Sequence, residues 1–309
     1  MATADADLEG LLASGERAVF HGPPASAVTD LERAIALAQA DGRRAETAAS
    51  SWLLGVALAA AGRYGGALQV LVPVLEAGES GDPAAIASEV RLFSSLAAAA
   101  AASVHRGLGR HVAATELDTR GLALTEGPDE AAFDCLLGLA ADAVGAGRSD
   151  DAGTRFAQAS AVADQHGGDW WRQRVRLEWT RADIAMASER PGDAVTAATA
   201  AVKAAERARA PRHVAKGLLF QGVAELQSGM VEATATLRRA ATLGENLGAL
   251  PLVWQARALL GALLDESSEE GARSLAAARS AVLTMAADLP AELRAEWLAR
   301  PNVSALLEG

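Results

Sequence analysis

One arrangement of small, polar and apolar positions recurs along the chain. A small residue is followed after about seven positions by a break, after about five more by an alanine, and then by an apolar run at helical spacing. The clearest copy is Trp52-Leu53-Leu54-Gly55, then Gly62-Arg63-Tyr64-Gly65-Gly66-Ala67, then Leu71 and Val74. Gly15, Gly22, Ala27 and Leu31 form an earlier copy, and Gly222, Gly229, Ala233 and Leu237 a later one, followed by Gly261, Ala272 and Leu275. Weaker echoes are Gly109-Arg110-His111 before Ala114, Gly147 to Ala152 before Phe156 and Ala159, and Glu189 to Ala194.

With Gly22, Gly62, Gly109, Gly147, Glu189, Gly229 and Ser268 as the breaks, the intervals are 40, 47, 38, 42, 40 and 39 residues. A period that drifts by a few residues is the signature of stacked units, none of which hides its apolar face alone. Each unit reads as two helices joined at the break, with the small residue of the first helix admitting its partner closely. Pro83, Pro128, Pro211 and Pro251 stand near the expected starts of first helices, where proline's fixed φ and missing N–H are tolerated. The long second interval leaves the helix register of 77–110 open.

Composition points the same way. Roughly a quarter of the residues are alanine, the best helix former and a poor filler of space, and aromatic residues make up 4%. Runs of β-branched residues are scarce, which argues against a sheet. The expectation is an all-α chain of close-set helices, about seven hairpins forming one domain over 1–309.

The phrase from Trp52 through Gly55, Gly62-Arg63-Tyr64, Ala67, Leu71 and Val74 resembles the tetratricopeptide repeat. A longer period also makes the chain similar to the helical sensor arms of large ATP-dependent bacterial transcription regulators related to the maltose activator. The segment Leu289 to Val303 resembles the endings of such arms. The resemblance implies a right-handed α–α superhelix whose first helices line a concave groove. The last residues, 289–308, read as a C-terminal capping helix with Trp297 and Leu298 over the final apolar face. It implies a scaffold and carries over no nucleotide-binding or DNA-binding activity.

The formal charge of −11 is uneven: residues 1–150 carry 20 acidic and 10 basic side chains, the remainder 19 and 18. Nucleic-acid binding requires a broad basic face, so that partner class is not expected. One basic belt does exist, Arg172–Lys216, with ten Lys/Arg against five Asp/Glu. The charge-free windows 47–62 and 92–104 are too short and too rich in small residues for a membrane span, and Asp5, Asp7 and Glu9 do not suit a secretory leader. Cys135, the single cysteine, reads as a small buried residue of a reducing, cytoplasmic compartment.

Catalytic signatures are missing. The chain has no G-x-x-x-x-G-K-[ST], no H-E-x-x-H and no G-x-S-x-G, and Gly107 to Val112 only imitates the start of a dinucleotide fingerprint after an alanine-rich helix. His21, His105, His111, His166 and His213 are scattered, and Asp150-Asp151 reads as loop and cap chemistry. No enzyme, no metal and no cofactor is expected.

The candidate site lies in Trp170 to Asp183. At helical spacing Arg172, Arg176, Trp179 and Asp183 share a face, and forty residues later Arg212 and Lys216 repeat the two arginines. These six residues would form a basic ladder with an aromatic member on the groove, suited to a protein or peptide partner of acidic character. The alternative is structural. Glu130 and Asp134 lie 42 residues before Arg172 and Arg176 and could tie one repeat to the next. Trp179 borders the apolar stripe Trp171, Val175, Ala182 and Met186, so burial competes with ligand contact, as it does for Trp52. A second polar stripe, Arg174, Glu178 and Arg181, would turn the ladder to solvent if it faced the groove instead. Function accordingly reads as a protein–protein interaction scaffold, with self-association compatible. The other reading is a regulatory sensor that binds a small molecule or peptide and controls a separate effector.

Overall fold

The structure, a computed structural model, describes residues 2–80, 86–166, 170–264 and 268–308. Among them are sixteen α-helices and no strand. Six hairpins are α1 (Ala2–His21) with α2 (Val28–Ala40), α3 (Arg44–Ala61) with α4 (Tyr64–Glu79), α5 (Ser88–Gly107) with α6 (His111–Ala123), α7 (Glu130–Gly145) with α8 (Ser149–Asp164), α9 (Trp171–Ala187) with α10 (Pro191–Arg207), and α11 (Pro211–Gln227) with α12 (Ala233–Leu247). A seventh joins α13 (Leu250–Leu263) to α14 (Glu269–Asp288). A short 3-10 turn, Pro24–Ala27, precedes α2.

All seven expected breaks fall between the two helices of a hairpin. Gly62, Gly109, Gly147 and Gly229 end their helices at φ of 69° to 86°, a conformation only glycine takes without a Cβ clash; Glu189 adopts it at 56°. Ser268 is instead the N-cap of α14, its Oγ accepting from the Gly271 amide at 3.0 Å. Pro211 and Pro251 lie in the first turns of α11 and α13, and Pro128 precedes Asp129, the cap of α7. Pro83 lies outside the described residues. The expectation of one closing helix over 289–308 is corrected. Two short helices, α15 (Ala291–Leu298) and α16 (Pro301–Glu308), occupy it, because Pro301 cannot continue the α15 hydrogen-bond ladder. Asp150 and Asp151, expected in a loop, lie in the first turn of α8, where the helix dipole favours carboxylates.

Contacts divide the chain into two compact units, Met1–Ala59 with Gly66–Gln173, and Ala60–Gly65 with Arg174–Gly309. In the first unit long stretches of α3, α5 and α7 are buried on every side, with small residues between the large ones. Ser50–Gly55 of α3, Ser94–Ala99 of α5 and Ala131–Ala140 of α7 are each continuously buried. A helix of alanine, serine and glycine can be hidden all round because its neighbours approach closely. The serines stay satisfied locally: Ser50 Oγ donates to the Glu46 carbonyl and Ser94 Oγ to the Val74 carbonyl, both at 2.7 Å. In the second unit, Ala182 and Ala185 of α9 pack on Ala194, Ala197 and Ala198 of α10, with Met186 and Phe220 alongside. Among the described residues no helix is long and apolar enough to cross a membrane.

Candidate functional site

Of the six residues of the predicted ladder, Arg172, Arg176, Trp179 and Asp183 lie on α9 and Arg212 and Lys216 on α11. Arg172 belongs to the first unit, and Arg176, Trp179, Asp183, Arg212 and Lys216 to the second.

Arg172 is consumed by structure. Its Nη2 binds Glu130 Oε1, its Nη1 lies 3.4 Å from Asp134 Oδ2, and its guanidinium carbon stands 5.4 Å over the Phe20 ring. Gln173 adds a 2.7 Å bond from its Nε2 to Glu130 Oε1. Burial works against the Arg172 charge, but the Asp134 and Glu130 carboxylates outweigh it and raise the pKa above the ordinary arginine value. The tie between repeats therefore exists at Arg172. With Arg172 12% and Asp134 6% exposed, it is no surface pair.

In the second unit Trp179 lies flat along α11. Its ring parallels His213 at 5.4 Å and Phe220 at 6.4 Å between centroids, with interplanar angles of 16° and 8°. A Cβ on Gly217, which stands between those two rings in the sequence, would press on Val202 at 2.9 Å but meet the indole nitrogen at an ordinary contact distance of 3.5 Å. Trp179 is 6% exposed, so it packs between hairpins and is not an open platform. Lys216 covers it, its Nζ 4.7 Å from the Trp179 centroid and 6.0 Å from that of Phe220. Arg176, Asp183, Arg212, Lys216 and Phe220 are half-buried, whereas Arg174 and Arg181 of the competing stripe are exposed, Arg181 pairing with Glu178 at 2.7 Å. What this unit brings together is Lys216 of α11 over the stacked rings of Trp179 and Phe220.

Sequence reasoning missed a buried polar network in the first unit. Arg106 of α5 reaches Asp118 of α6 at 2.7 Å and clasps both oxygens of Asp142 of α7 at 2.9 and 2.8 Å. His111 Nδ1 lies 3.0 Å from Asp142 Oδ1. Both carboxylates are fully buried. Two glycines of α7 make the space: Gly138 faces the Asp118 carboxylate and Gly145 the His111 ring, each too near for a Cβ. Burial penalises the Arg106 charge, but Asp118 and Asp142 together raise its pKa. Burial first, then the nearby Asp118, pushes the Cys135 thiol well above its usual range, so it is an inert packing residue. The signal for this network was the pair of glycines in an otherwise alanine-rich helix, which the repeat phrase does not require.

No family model and no curated protein sequence matches the chain. Among solved structures, the chain is similar to a Rap protein complexed with competence and sporulation factor, with a TM-score of 0.58 and 15% identity, covering 97% of this chain and 79% of that one. The similarity shows the fold alone, an all-α chain of consecutive helical hairpins. Aspartyl phosphate phosphatase F from Bacillus subtilis aligns over 97% of this chain and 82% of its own at 14% identity and a TM-score of 0.49.

Proposed function

We propose that this tetratricopeptide-like chain is a cytoplasmic protein-interaction scaffold whose second unit binds an acidic segment of a partner on the first-helix faces of α9 and α11. The observation that carries the reading is Lys216 held over Trp179 and Phe220, with the half-buried Arg176 and Arg212 on the same two helices. Side chains fixed on aromatic rings lose little further freedom on binding, and cations on rigid helices select carboxylates. The local belt is basic within a chain of charge −11, so it stands out electrostatically from its own molecule. That a Rap protein of similar fold is complexed with competence and sporulation factor supports a bound second molecule for such a stack. The likeness of 289–303 to sensor-arm endings belongs to the same proposal, with binding relayed to a separate effector.

The test is affinity purification from the native cell, comparing the wild type with Arg176→Glu/Lys216→Glu at equal folded concentration. A partner recovered with the wild type, lost with the double variant and weakened by added salt supports the reading. Equal recovery with both proteins, their melting temperatures being the same, rejects it.

A further inference from the structure

Four hairpins place an arginine directly after the residue in the left-handed conformation: Gly62-Arg63, Gly109-Arg110, Gly147-Arg148 and Glu189-Arg190. Arg63, Arg148 and Arg190 are exposed. Two of them pair with a carboxylate three residues on, Arg148 with Asp151 at 3.7 Å and Arg190 with Asp193 at 2.8 Å. The position faces solvent, which suits charged side chains. The α11–α12 turn departs from this pattern. Gly229 takes the left-handed conformation at φ 69°, but Met230 follows it, and Ala233 stands where the paired aspartate would be. Met230 is 39% exposed and its neighbour Val231 88%.

The backbone does not call for methionine there. Main-chain groups close the turn, Gly229 N–H donating to Leu226 O at 3.0 Å and Met230 N–H to Glu225 O at 2.9 Å. What the side chain adds is a thioether in contact with water. The other two methionines among the described residues are withheld from it. Met285 is 1% exposed, and Met186 is half-buried against the alanines of α9 and α10. Thioether oxidation follows access, so the three differ in reactivity.

We propose that Met230 is a reversible oxidation site for hydrogen peroxide. The Sδ lone pair attacks one peroxide oxygen, so that an S–O bond forms and the O–O bond breaks. The departing hydroxide takes the proton left on the transferred oxygen and leaves as water. Sulfur is oxidised by two electrons, peroxide is reduced by two, and the product is methionine sulfoxide. A methionine sulfoxide reductase reverses the step with a dithiol, which becomes a disulfide while the oxygen leaves as water. The sulfoxide is polar, so the Met230–Val231 tip loses its apolar character while the main-chain bonds of the turn stay in place.

The full chain treated with hydrogen peroxide and then digested with trypsin tests this, because peptides 182–203, 217–238 and 280–294 carry Met186, Met230 and Met285 separately. One oxygen should enter 217–238 about tenfold or more faster than it enters either other peptide. The melting temperature should stay unchanged, and the reductase with a dithiol should remove the oxygen. Met230→Leu should lose the fast addition and leave the other two peptides slow. A comparable rate at Met186 or Met285 in the folded protein would overturn the proposal. So would a fall in melting temperature accompanying the change at Met230, or a sulfoxide that the reductase leaves in place.

Discussion

Leu71 of α4 fills the place that a methyl group on Gly55 of α3 would need. The same relation joins Gly15 to Leu31, Gly222 to Leu237 and Gly261 to Leu275, with the hypothetical Cβ 2.5 Å from the leucine at Gly15 and 2.7 Å at Gly222. The glycine lowers one helix surface and the leucine enters it, which sets how closely the two helices of a hairpin lie. Gly55→Ala should therefore destabilise by about 1–3 kcal/mol through overpacking, although alanine is the better helix former. Leu71→Ala should cost about 2–5 kcal/mol through the cavity it leaves. Urea unfolding of the double variant should show less than the sum, with a coupling of at least about 0.5 kcal/mol, and strict additivity would sink the lock.

Arg172 gives a second contrast. Arg172→Ala strips Asp134 and Glu130 of their guanidinium and leaves a nearly buried carboxylate, so a loss of about 3–5 kcal/mol is expected. Arg172→Lys should recover only part, because an ammonium cannot fork between two carboxylates. Arg273→Ala, which breaks an exposed pair with Glu269 one helical turn away, should stay within about 0.5 kcal/mol. Equal effects of the two alanine variants in thermal melts would show that burial of the Arg172 pair carries no weight.

These two cases mark what the sequence shows and what it hides. The hairpins were legible because each needs a small residue, a break and an apolar run at fixed spacing, and local steric demands repeat with the period. The ladder was only partly legible. Spacing puts Arg172 and Arg176 on one face, but which carboxylates reach them depends on α7, and Arg172 meets Glu130 and Asp134 in a different compact unit from Arg176. Trp179 shares its face with both arginines, yet it is buried against His213 and Phe220 of α11. The network of Arg106, Asp118 and Asp142 draws one residue from each of three helices, and only the two glycines of α7 mark it in the sequence.

That network should respond as a unit. Arg106→Met leaves Asp118 and Asp142 buried without their shared cation and should cost about 3–5 kcal/mol, among the largest effects in the first unit. Adding Asp118→Asn and Asp142→Asn removes the uncompensated charge and should restore part of that loss. Chemical unfolding of the single and triple variants checks this, and a triple variant weaker than Arg106→Met would show that the charges are not what couples the helices.

Glu178 supplies the pH test. Burial raises its pKa above the ordinary 4.5, the charge and hydrogen bond of Arg181 opposing but not cancelling the effect. Below the ordinary carboxylate range both folded and unfolded forms hold the proton and the residue contributes no pH dependence. As pH rises through about 4.5 the unfolded chain ionises first, so stability due to the protonated folded form is progressively lost until the folded carboxyl has ionised too. The wild type should therefore lose ground to Glu178→Gln between acid and neutral pH, the difference levelling off once the raised pKa is passed. Melting temperatures of both proteins across that interval measure it. A wild type that gains on Glu178→Gln as pH rises would mean that the Arg181 pairing, and not burial, governs the ionisation of Glu178.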